Sequence, residues 1–279
     1  MKVTALFDGD ILAYRAGFAA EKSFYFDKRK PPEDGGQTWT YKKEVVAHIP
    51  EEYIDKGRDL EPIENAYYNV KSLINKSLSA IETHYNTDDI FYETFVTGNH
   101  ERPNFRKAID SEYKANRKDT ARPTYLPELL EYIITNHNGY SSEGCEADDF
   151  FGHASVTARS NDRTPVVITI DKDLKQIAGH HYHPVKDSFF TVSENEADLM
   201  FWRQMLQGDA ADNIIGIHGI GDKKSKRYLP DGTTNEKAQE VVIPYYQRDF
   251  GENWEERYNR NAALLWIWKK IPDKCPYKI

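Results

Sequence analysis

The chain has 279 residues, of which 39% are hydrophobic and 13% aromatic, a composition that excludes a disordered chain. No apolar run approaches the roughly 20 residues of a membrane helix, and the two cysteines are too few for a disulfide scaffold or a four-cysteine zinc site, so we expect a cytoplasmic protein with no membrane partner. The formal net charge of −8 argues against a nucleic-acid partner unless the acidic residues are concentrated in one place.

The hydrophobic pattern predicts alternating strands and helices. Strands are expected at 2–7, 89–97, 166–170, 181–185 and 189–192. Helices are expected at 11–20, 62–85, 125–136, 146–158, 174–178 and 194–206. Residues 21–61 are polar and contain Pro and Gly clusters, which predicts an excursion from the core with a hairpin. Because apolar strands without a polar face are typical of parallel sheets covered on both sides, we predict an α/β fold with a central, mostly parallel sheet flanked by helices.

Four groups of carboxylates punctuate this pattern. Asp8 and Asp171 follow strands, and parallel sheets bind ligands at the carboxyl ends of their strands. Two further pairs have the spacing of one helical face, because their members lie three residues apart. Carboxylates that converge repel each other unless a cation neutralises them, and oxygen ligands suit Mg²⁺ or Mn²⁺. The nine acids are Asp8, Asp10, Glu146, Asp148, Asp149, Asp171, Asp173, Asp209 and Asp212.

For any single pair, a solvated turn or a helix cap is the simpler interpretation. The four groups together favour a two-metal site, which is the usual device for cleaving phosphodiester bonds. Without these nine acids the net charge of the chain would be +1, so a negatively charged partner is not excluded.

Two other stretches predict contacts to phosphate. The glycines at 214–221, followed by a basic run, have the pattern of a helix–hairpin–helix-type motif that binds a phosphodiester backbone, with a glycine-rich connector as the alternative. Residues 101–122 mix seven basic side chains with aromatic residues, as single-strand binders do, although a solvated helix face would look the same. The candidate residues are Gly216, Gly219, Gly221, Lys223 and Lys224 in the first stretch, and Arg106, Tyr113, Lys114, Arg117 and Lys118 in the second.

In combination, these pieces resemble the flap-endonuclease family, and especially the phage 5′→3′ exonucleases. The matching segments occur in the family's order, at 7–10, 105–106, 113–118, 146–149, 171–173 and 208–221. The resemblance implies a catalytic core at 1–192 with a helical arch at about 99–125, and a helix–hairpin–helix-type DNA-binding region with a C-terminal extension at 193–279. The family usually has an acid after the second strand, and Asn99 stands near that position here.

The resemblance also implies roles for the site residues. One metal ion would be held by Asp8, Glu146, Asp148 and Asp149, and the second would be held or supported by Asp171, Asp173, Asp209 and Asp212. Lys114 and Arg117 would lie near the scissile phosphate, and Tyr113 could stack on the terminal base. Arg106 and Lys118 would be further DNA contacts, and residues 208–229 would bind the duplex, with K⁺ at the hairpin.

The resulting prediction is a Mg²⁺-dependent 5′ nuclease, both 5′→3′ exonuclease and 5′ flap endonuclease, that uses two Mg²⁺ ions or Mn²⁺ in their place. Its expected partner is DNA with a 5′ end or flap, or an RNA–DNA hybrid, and the expected setting is a monomer in the cytoplasm, encoded by a phage and acting in its host. One alternative is an RNase H-like ribonuclease that removes RNA primers. Another is a non-catalytic DNA-binding module, which would gain nothing from so many carboxylates beside phosphate.

Overall fold

The structure, a computed structural model, describes residues 1–98, 104–117 and 120–279. Its strands are β1 Val3–Asp8, β2 Glu21–Asp27, β3 Thr38–Trp39, β4 Ile54–Leu60, β5 Ile90–Thr97, β6 Gly139–Ser142, β7 Thr164–Ile168, β8 Gly179–His183, β9 Ser188–Val192, β10 Gly208–Asp209 and β11 Ile214–Ile215. Its α-helices are α1 Gly9–Ala19, α2 Lys42–Val45, α3 Ile63–Tyr85, α4 Phe105–Ile109, α5 Leu126–Asn136, α6 Asp148–Ser160, α7 Glu194–Gln207, α8 Asp222–Tyr228, α9 Asn235–Phe250 and α10 Trp254–Leu265. Short 3-10 helices span Pro32–Asp34, Glu51–Tyr53, Ala115–Arg117, Asp173–Gln176 and Gly251–Asn253.

Six strands form the central sheet in the order β6–β5–β1–β7–β8–β9. All neighbouring pairs are parallel except β8 and β9, which are antiparallel. Strand β1 lies between β5 and β7 and is buried along its whole length, as its continuous apolar sequence predicts. The predicted mostly parallel sheet is confirmed, and the chain leaves β1 at the point where the strand order reverses, which is where such sheets bind ligands.

Helices cover both faces of this sheet because successive side chains of β1 point to opposite sides. On one face, Val3, Ala5 and Phe7 pack with buried residues of α1, α3 and α5. On the other face, Leu6 packs with Phe151 of α6 and with residues of neighbouring strands. In the described parts of the chain, no helix is long and apolar enough to cross a membrane.

The polar excursion at 21–61 forms a separate antiparallel sheet in the order β3–β2–β4. Strands β2 and β4 pair from Glu21 with Leu60 to Asp27 with Ile54, so the expected hairpin-like pairing is present. Arg58 of β4 donates hydrogen bonds to Glu21 at 3.0 Å and to the carbonyl oxygen of Arg122 at 2.8 Å. The small sheet therefore contacts the segment that precedes α5.

The C-terminal helices α7, α9 and α10 enclose their own apolar cluster. Its largest fully buried side chains are Trp202, Tyr246 and Tyr258, and Trp266 lies beside them. This cluster contains most of the aromatic residues that the sequence places after residue 231, although Tyr113 from the basic stretch packs into it as well. The domain boundary at 192/193 stays a prediction.

The basic stretch differs from the helix expected for it. Helix α4 ends at Ile109 because Asp110 is extended, with φ −144° and ψ 112°, and Lys114 has a left-handed φ of 58°. The backbone N–H of Lys114 donates to the carbonyl oxygen of Asp212 at 2.9 Å, so a tertiary contact sets the conformation of this turn. Lys114 and Arg117 consequently do not share the face of an α-helix, whereas Asn99 and Lys118 lie outside the described residues.

Candidate metal and DNA site

The carboxylates that follow β1 are held in fixed orientations by neighbouring strands. Asp8 caps α1, with Oδ1 accepting from the N–H of Ile11 at 3.1 Å and Oδ2 accepting from the hydroxyl of Thr169 at 2.9 Å. Asp10 accepts from the N–H of Thr97, at the end of β5, at 2.9 Å. Between them Gly9 lies so close to β5 that a Cβ there would meet Val96 Cγ1 at 2.5 Å. The Asp-Gly-Asp sequence thus brings two carboxylates to the carboxyl ends of three strands.

The negative charge of the carboxylates in this region is not fully compensated by neighbouring positive charges. Burial, together with the charges of Asp10 and Asp171, raises the pKa of Asp8 to about 7. Burial and the charges of Asp8 and Asp171 also raise the pKa of Asp148 well above its ordinary value. Among the described residues, no Lys or Arg nitrogen lies within 4.0 Å of Asp8 or Asp148. A cation bound here would therefore relieve repulsion between the acids.

A second group of acids lies after β7 and at the end of α7. Asp173 donates its N–H to Asp171 Oδ1 at 2.8 Å, and its own Oδ1 accepts from Gln204 at 2.8 Å. Burial and the charges of Asp171 and Asp209 raise the pKa of Asp173 to about 8. Asp209 is itself buried and accepts from the N–H of Ala211 at 2.8 Å. The structure thus brings together three of the four acids that were predicted to form or support the second metal position, whereas the fourth, Asp212, pairs with Arg117 and accepts from Tyr113.

The predicted catalytic residues meet the acids directly. The ammonium of Lys114 lies 2.5 Å from Glu146 Oε1, and the hydroxyl of Tyr113 donates to Asp212 at 2.8 Å and to Glu146 at 3.1 Å. Burial raises the pKa of Glu146, but the positive charge of Lys114, with that of Arg106, outweighs burial and holds the pKa below its ordinary value. Asp212 is also paired with Arg117, yet burial still raises its pKa.

Tyr113 differs from the stacking residue that the resemblance implies. Its side chain is 2% exposed, so its ring offers no face to a base in this conformation. Burial and the charge of Glu146 raise the pKa of its hydroxyl far above the ordinary value, which keeps it a hydrogen-bond donor. The geometry suits a residue that orients Glu146 and Asp212.

Asp149 and Arg106 also lie elsewhere than expected. Asp149 is 0% exposed, and the two oxygens of its carboxylate accept from the Arg106 guanidinium at 2.6 and 2.9 Å. Arg106 is 2% exposed and donates further to the carbonyl oxygens of Leu264 and Trp266, both at 2.9 Å. In this structure Arg106 is therefore not positioned to contact DNA, and Asp149 faces an arginine where a metal ion was expected. The prediction that Glu146 and Asp149 share one helical face is wrong, because α6 begins at Asp148 and Glu146 precedes it.

The described residues of the site offer donor atoms that suit a hard divalent cation, but their side chains are not arranged as a complete ligand set. Within the described ranges, no three His, Cys, Asp or Glu side chains converge as a ready-made ligand set. The available donors are all carboxylate oxygens, and the raised pKa values of Asp8, Asp148 and Asp173 indicate uncompensated charge. Oxygen donors of this kind suit Mg²⁺ or Mn²⁺.

The predicted hairpin lies between α7 and α8. Its three glycines line a groove of about 670 Å³ together with Ile217 and His218. Gly219 has a φ of +73°, which favours glycine, and its carbonyl oxygen accepts from the ammonium of Lys224 at 2.8 Å. Lys223 and Lys224 are both exposed at the start of α8. The hairpin therefore presents two cations beside an open groove.

Sequence analysis missed several polar residues that support the acids. Thr97 and Thr169 hold Asp10 and Asp8, and Gln204 holds Asp173. The only sequence signal for Gln204 is a polar residue among the apolar positions of α7. His181, by contrast, is a buried residue of β8 that contacts the carbonyl oxygen of Ile177 at 2.8 Å.

Comparisons with known proteins find similar sequences in a DNA polymerase I and in a phage exodeoxyribonuclease. At 28% identity over 289 residues, DNA polymerase I of Bacillus caldotenax covers 95% of this chain and 27% of its own length. The exodeoxyribonuclease of Enterobacteria phage T3 is 32% identical over 144 residues, covering 50% of this chain and 47% of its own length. The chain thus spans about a quarter to about half of the length of these curated relatives.

Solved structures agree on the fold. The T5 D15 protein co-crystallised with metal ions superimposes with a TM-score of 0.57 at 15% identity, covering 95% of this chain and 89% of that one. The family model described as "5'-3' exonuclease, N-terminal resolvase-like domain" matches residues 60–202, slightly more than half of the chain. The resemblance stated from sequence is thereby confirmed, and the chain belongs to the 5′-3′ exonuclease family that this N-terminal resolvase-like domain defines.

Proposed function

We propose that this chain is a divalent-metal-dependent 5′ nuclease that cleaves phosphodiester bonds in DNA, as an exonuclease at 5′ ends and as an endonuclease at 5′ flaps. The observation that carries the proposal is the pairing of Lys114, from the basic stretch, with Glu146, whose charge acts on Asp148 beside the uncompensated carboxylate of Asp8. Membership of the 5′-3′ exonuclease family supports it. The T5 D15 flap endonuclease, whose fold is similar, has been solved as a pseudo-enzyme-product complex with DNA and metal ions.

The metal proposed is Mg²⁺, as two ions, with Mn²⁺ able to replace it. Asp8, Glu146 and Asp148 would hold one ion, and Asp171, Asp173 and Asp209 would hold the other. Bound ions of this kind generate hydroxide from water and stabilise the attacking and leaving oxygens. Zinc bound to T5 5′-exonuclease, a protein of similar fold, supports a divalent site in general and leaves the choice of Mg²⁺ to this proposal.

The protein's own residues then orient the phosphate and balance its charge. Lys114 already lies between Glu146 and Asp212, and its ammonium would offset the charge that develops on the phosphate. Arg117 would act in the same way from its contact with Asp212. Tyr113 would keep Glu146 and Asp212 in position through its hydroxyl.

The proposed DNA contacts lie at the hairpin. Lys223 and Lys224 would meet the phosphates of the duplex behind the cut, with the groove at Gly216, Gly219 and Gly221 admitting the backbone and a K⁺ ion. Lys118 remains a proposed contact from sequence. We extend the proposal to RNA–DNA hybrids as a second substrate and to a monomer that acts in the cytoplasm of a phage host.

The proposed function is tested by cleavage of three labelled substrates: a 5′-flap DNA, a blunt DNA duplex and an RNA–DNA hybrid. Each substrate is incubated with Mg²⁺ and, separately, with EDTA. We expect cleavage of both DNA substrates in Mg²⁺ only, with products that carry 5′-phosphates. Cleavage confined to the hybrid would favour the primer-removing ribonuclease. Tight DNA binding without cleavage in Mg²⁺ or Mn²⁺ would favour the non-catalytic binding module.

A further inference from the structure

The end of α10 and the residues that follow it are linked, through hydrogen-bonded side chains, to both groups of acids. Residues 264–269, here called the C-terminal strap, lie outside the region that the family model matches. Leu264, Leu265, Trp266 and Ile267 are each at most 5% exposed. Leu264, Leu265 and Trp266 belong to the C-terminal apolar cluster, whereas Ile267 packs with Leu6 and Phe151 of the catalytic core. The strap therefore joins two hydrophobic cores.

The backbone polar groups of the strap alternate between two partners, the Arg106–Asp149 ion pair and the side chain of Gln176. On one side, the carbonyl oxygens of Leu264 and Trp266 accept from Arg106 at 2.9 Å, and the N–H of Trp268 donates to Asp149 at 3.3 Å. On the other side, the carbonyl oxygen of Leu265 accepts from Gln176 at 2.8 Å. The N–H of Ile267 returns a bond to the same Gln176 side chain at 3.2 Å.

Each partner of the strap also holds one group of acids. Asp149, paired with Arg106, accepts from the N–H of Glu146 at 3.0 Å. Gln176 donates to Gln204 at 2.7 Å, and Gln204 donates to Asp173 at 2.8 Å. One continuous segment is thus linked, through buried side chains, to the backbone of Glu146 and to the carboxylate of Asp173.

We propose that the C-terminal strap is a positioning element that sets the separation between the Glu146 and Asp173 groups of the metal site. The proposal rests on the proposed function in that it assigns divalent ions to those acids. Arg106, Asp149, Gln176 and Gln204 are accordingly positioning residues, and all four are buried. Residues of this kind, which orient metal ligands through hydrogen bonds, typically change metal affinity or activity about 10–100-fold when they are replaced.

The test compares Gln176→Met, which keeps the length of the side chain and removes its hydrogen bonds, with Ile74→Ala as a matched control. Ile74 is buried in the cluster on the opposite face of the sheet, so its loss lowers stability without touching the strap. Calorimetric titration with Mn²⁺ in the absence of DNA is the main measurement. Gln176→Met should weaken Mn²⁺ affinity about 10–100-fold, and Ile74→Ala should leave it unchanged. If Gln176→Met does not fold, Lys269→Met replaces it as the test variant. Lys269→Met removes the ammonium that contacts the carbonyl oxygen of Gln176.

A second measurement asks whether the strap links the two sides. Arg106 and Gln176 are not hydrogen-bonded to each other in the described structure, but both hold the strap. In the double variant that combines Arg106→Lys with Gln176→Met, the fold loss of Mn²⁺ affinity should therefore be smaller than the product of the losses in the two single variants. Steady-state cleavage should show a lower kcat with an unchanged KM for DNA. Unchanged Mn²⁺ affinity in Gln176→Met, an equal loss in Ile74→Ala, or multiplicative effects would overturn the proposal. A parent protein that binds Mn²⁺ but cleaves no DNA would overturn the proposed function and leave this inference standing.

Discussion

The ammonium of Lys114 lies 2.5 Å from Oε1 of Glu146 and 3.7 Å from Oδ2 of Asp212. Lys114 reaches this position from a turn with a left-handed φ of 58°, held by a backbone hydrogen bond to Asp212. The positive charge is therefore placed among the acids by the fold itself. A group placed in this way can act on charge that develops during the reaction without much contribution to initial binding.

Lys114→Met should accordingly lower the single-turnover cleavage rate by about 10²–10³, as the loss of one such donor typically does. DNA affinity should fall much less, because Lys223 and Lys224 are proposed to provide separate phosphate contacts. Cleavage and binding of the same 5′-labelled duplex are measured in parallel, with Lys107→Met, an exposed lysine of α4, as the charge-matched control. Equal losses of rate and affinity would make Lys114 a simple phosphate anchor.

The acids near β1 predict a pH dependence of stability in the metal-free protein. Asp8 has a pKa of about 7 in the folded protein against an ordinary value of 3.8, so the folded state binds its proton more tightly than the unfolded state does. Its contribution is fully present below about pH 4 and is lost as the pH rises through about 7. In EDTA, the difference in free energy of unfolding between Asp8→Asn and the parent should therefore grow from pH 4 to pH 8, in favour of the variant. Urea unfolding at several pH values checks this, and a difference that shrinks with pH would contradict it.

His181 should make the free energy of unfolding depend on pH in the opposite direction. Burial lowers its pKa from 6.5 to about 4, so the unfolded state binds more protons than the folded state between these values. The parent should lose about 3 kcal/mol of stability relative to His181→Gln as the pH falls from 6.5 to 4, since one pKa unit corresponds to about 1.4 kcal/mol. Chemical unfolding of both proteins across this range measures the difference. A pH-independent difference would show that His181 is not buried as a neutral side chain.

The hairpin predicts a salt effect on DNA binding. Lys223→Ala combined with Lys224→Ala should weaken binding equally for all DNA sequences and reduce the salt slope by about one per lost phosphate contact. Lys76→Ala, an exposed lysine of α3, removes the same kind of charge elsewhere and should leave the slope unchanged. Binding is measured by fluorescence anisotropy over a salt series in Ca²⁺. The same slope in the double variant and the parent would exclude the hairpin from the interface.

Local pattern was sufficient to predict much of the fold. The continuous apolar sequence of β1 and the spacing of apolar residues in α3 are properties of neighbouring residues, and both elements lie where they were expected. The acids Asp8 and Asp171 come at or after the ends of strands in sequence and therefore lie at one edge of the sheet. For these features, sequence neighbourhood and spatial neighbourhood coincide.

Contacts between distant segments could not be predicted in the same way. Arg106 and Leu264 are 158 residues apart, and their hydrogen bond involves a buried arginine that the family resemblance assigns to a DNA-binding surface. Tyr113 is likewise drawn into the C-terminal cluster, where its hydroxyl meets two acids and its ring is covered. The position of such residues depends on which segments pack together, and a single sequence carries no local signal for that.

The central claim is that the acids after β1 and β7, together with Asp148 at the start of α6, form a catalytic metal site, and Asp148→Asn tests it most directly. Asp148 has a strongly raised pKa caused by burial and by neighbouring acids, so the variant removes a ligand charge while relieving repulsion. The measurement is single-turnover cleavage of a 5′-flap DNA in saturating Mg²⁺, with Asp34→Asn, an exposed acid outside the site, as control. We predict that Asp148→Asn abolishes cleavage, retains DNA binding and unfolds at a higher temperature than the parent in EDTA at pH 8. Cleavage by Asp148→Asn at the parental rate would contradict the account.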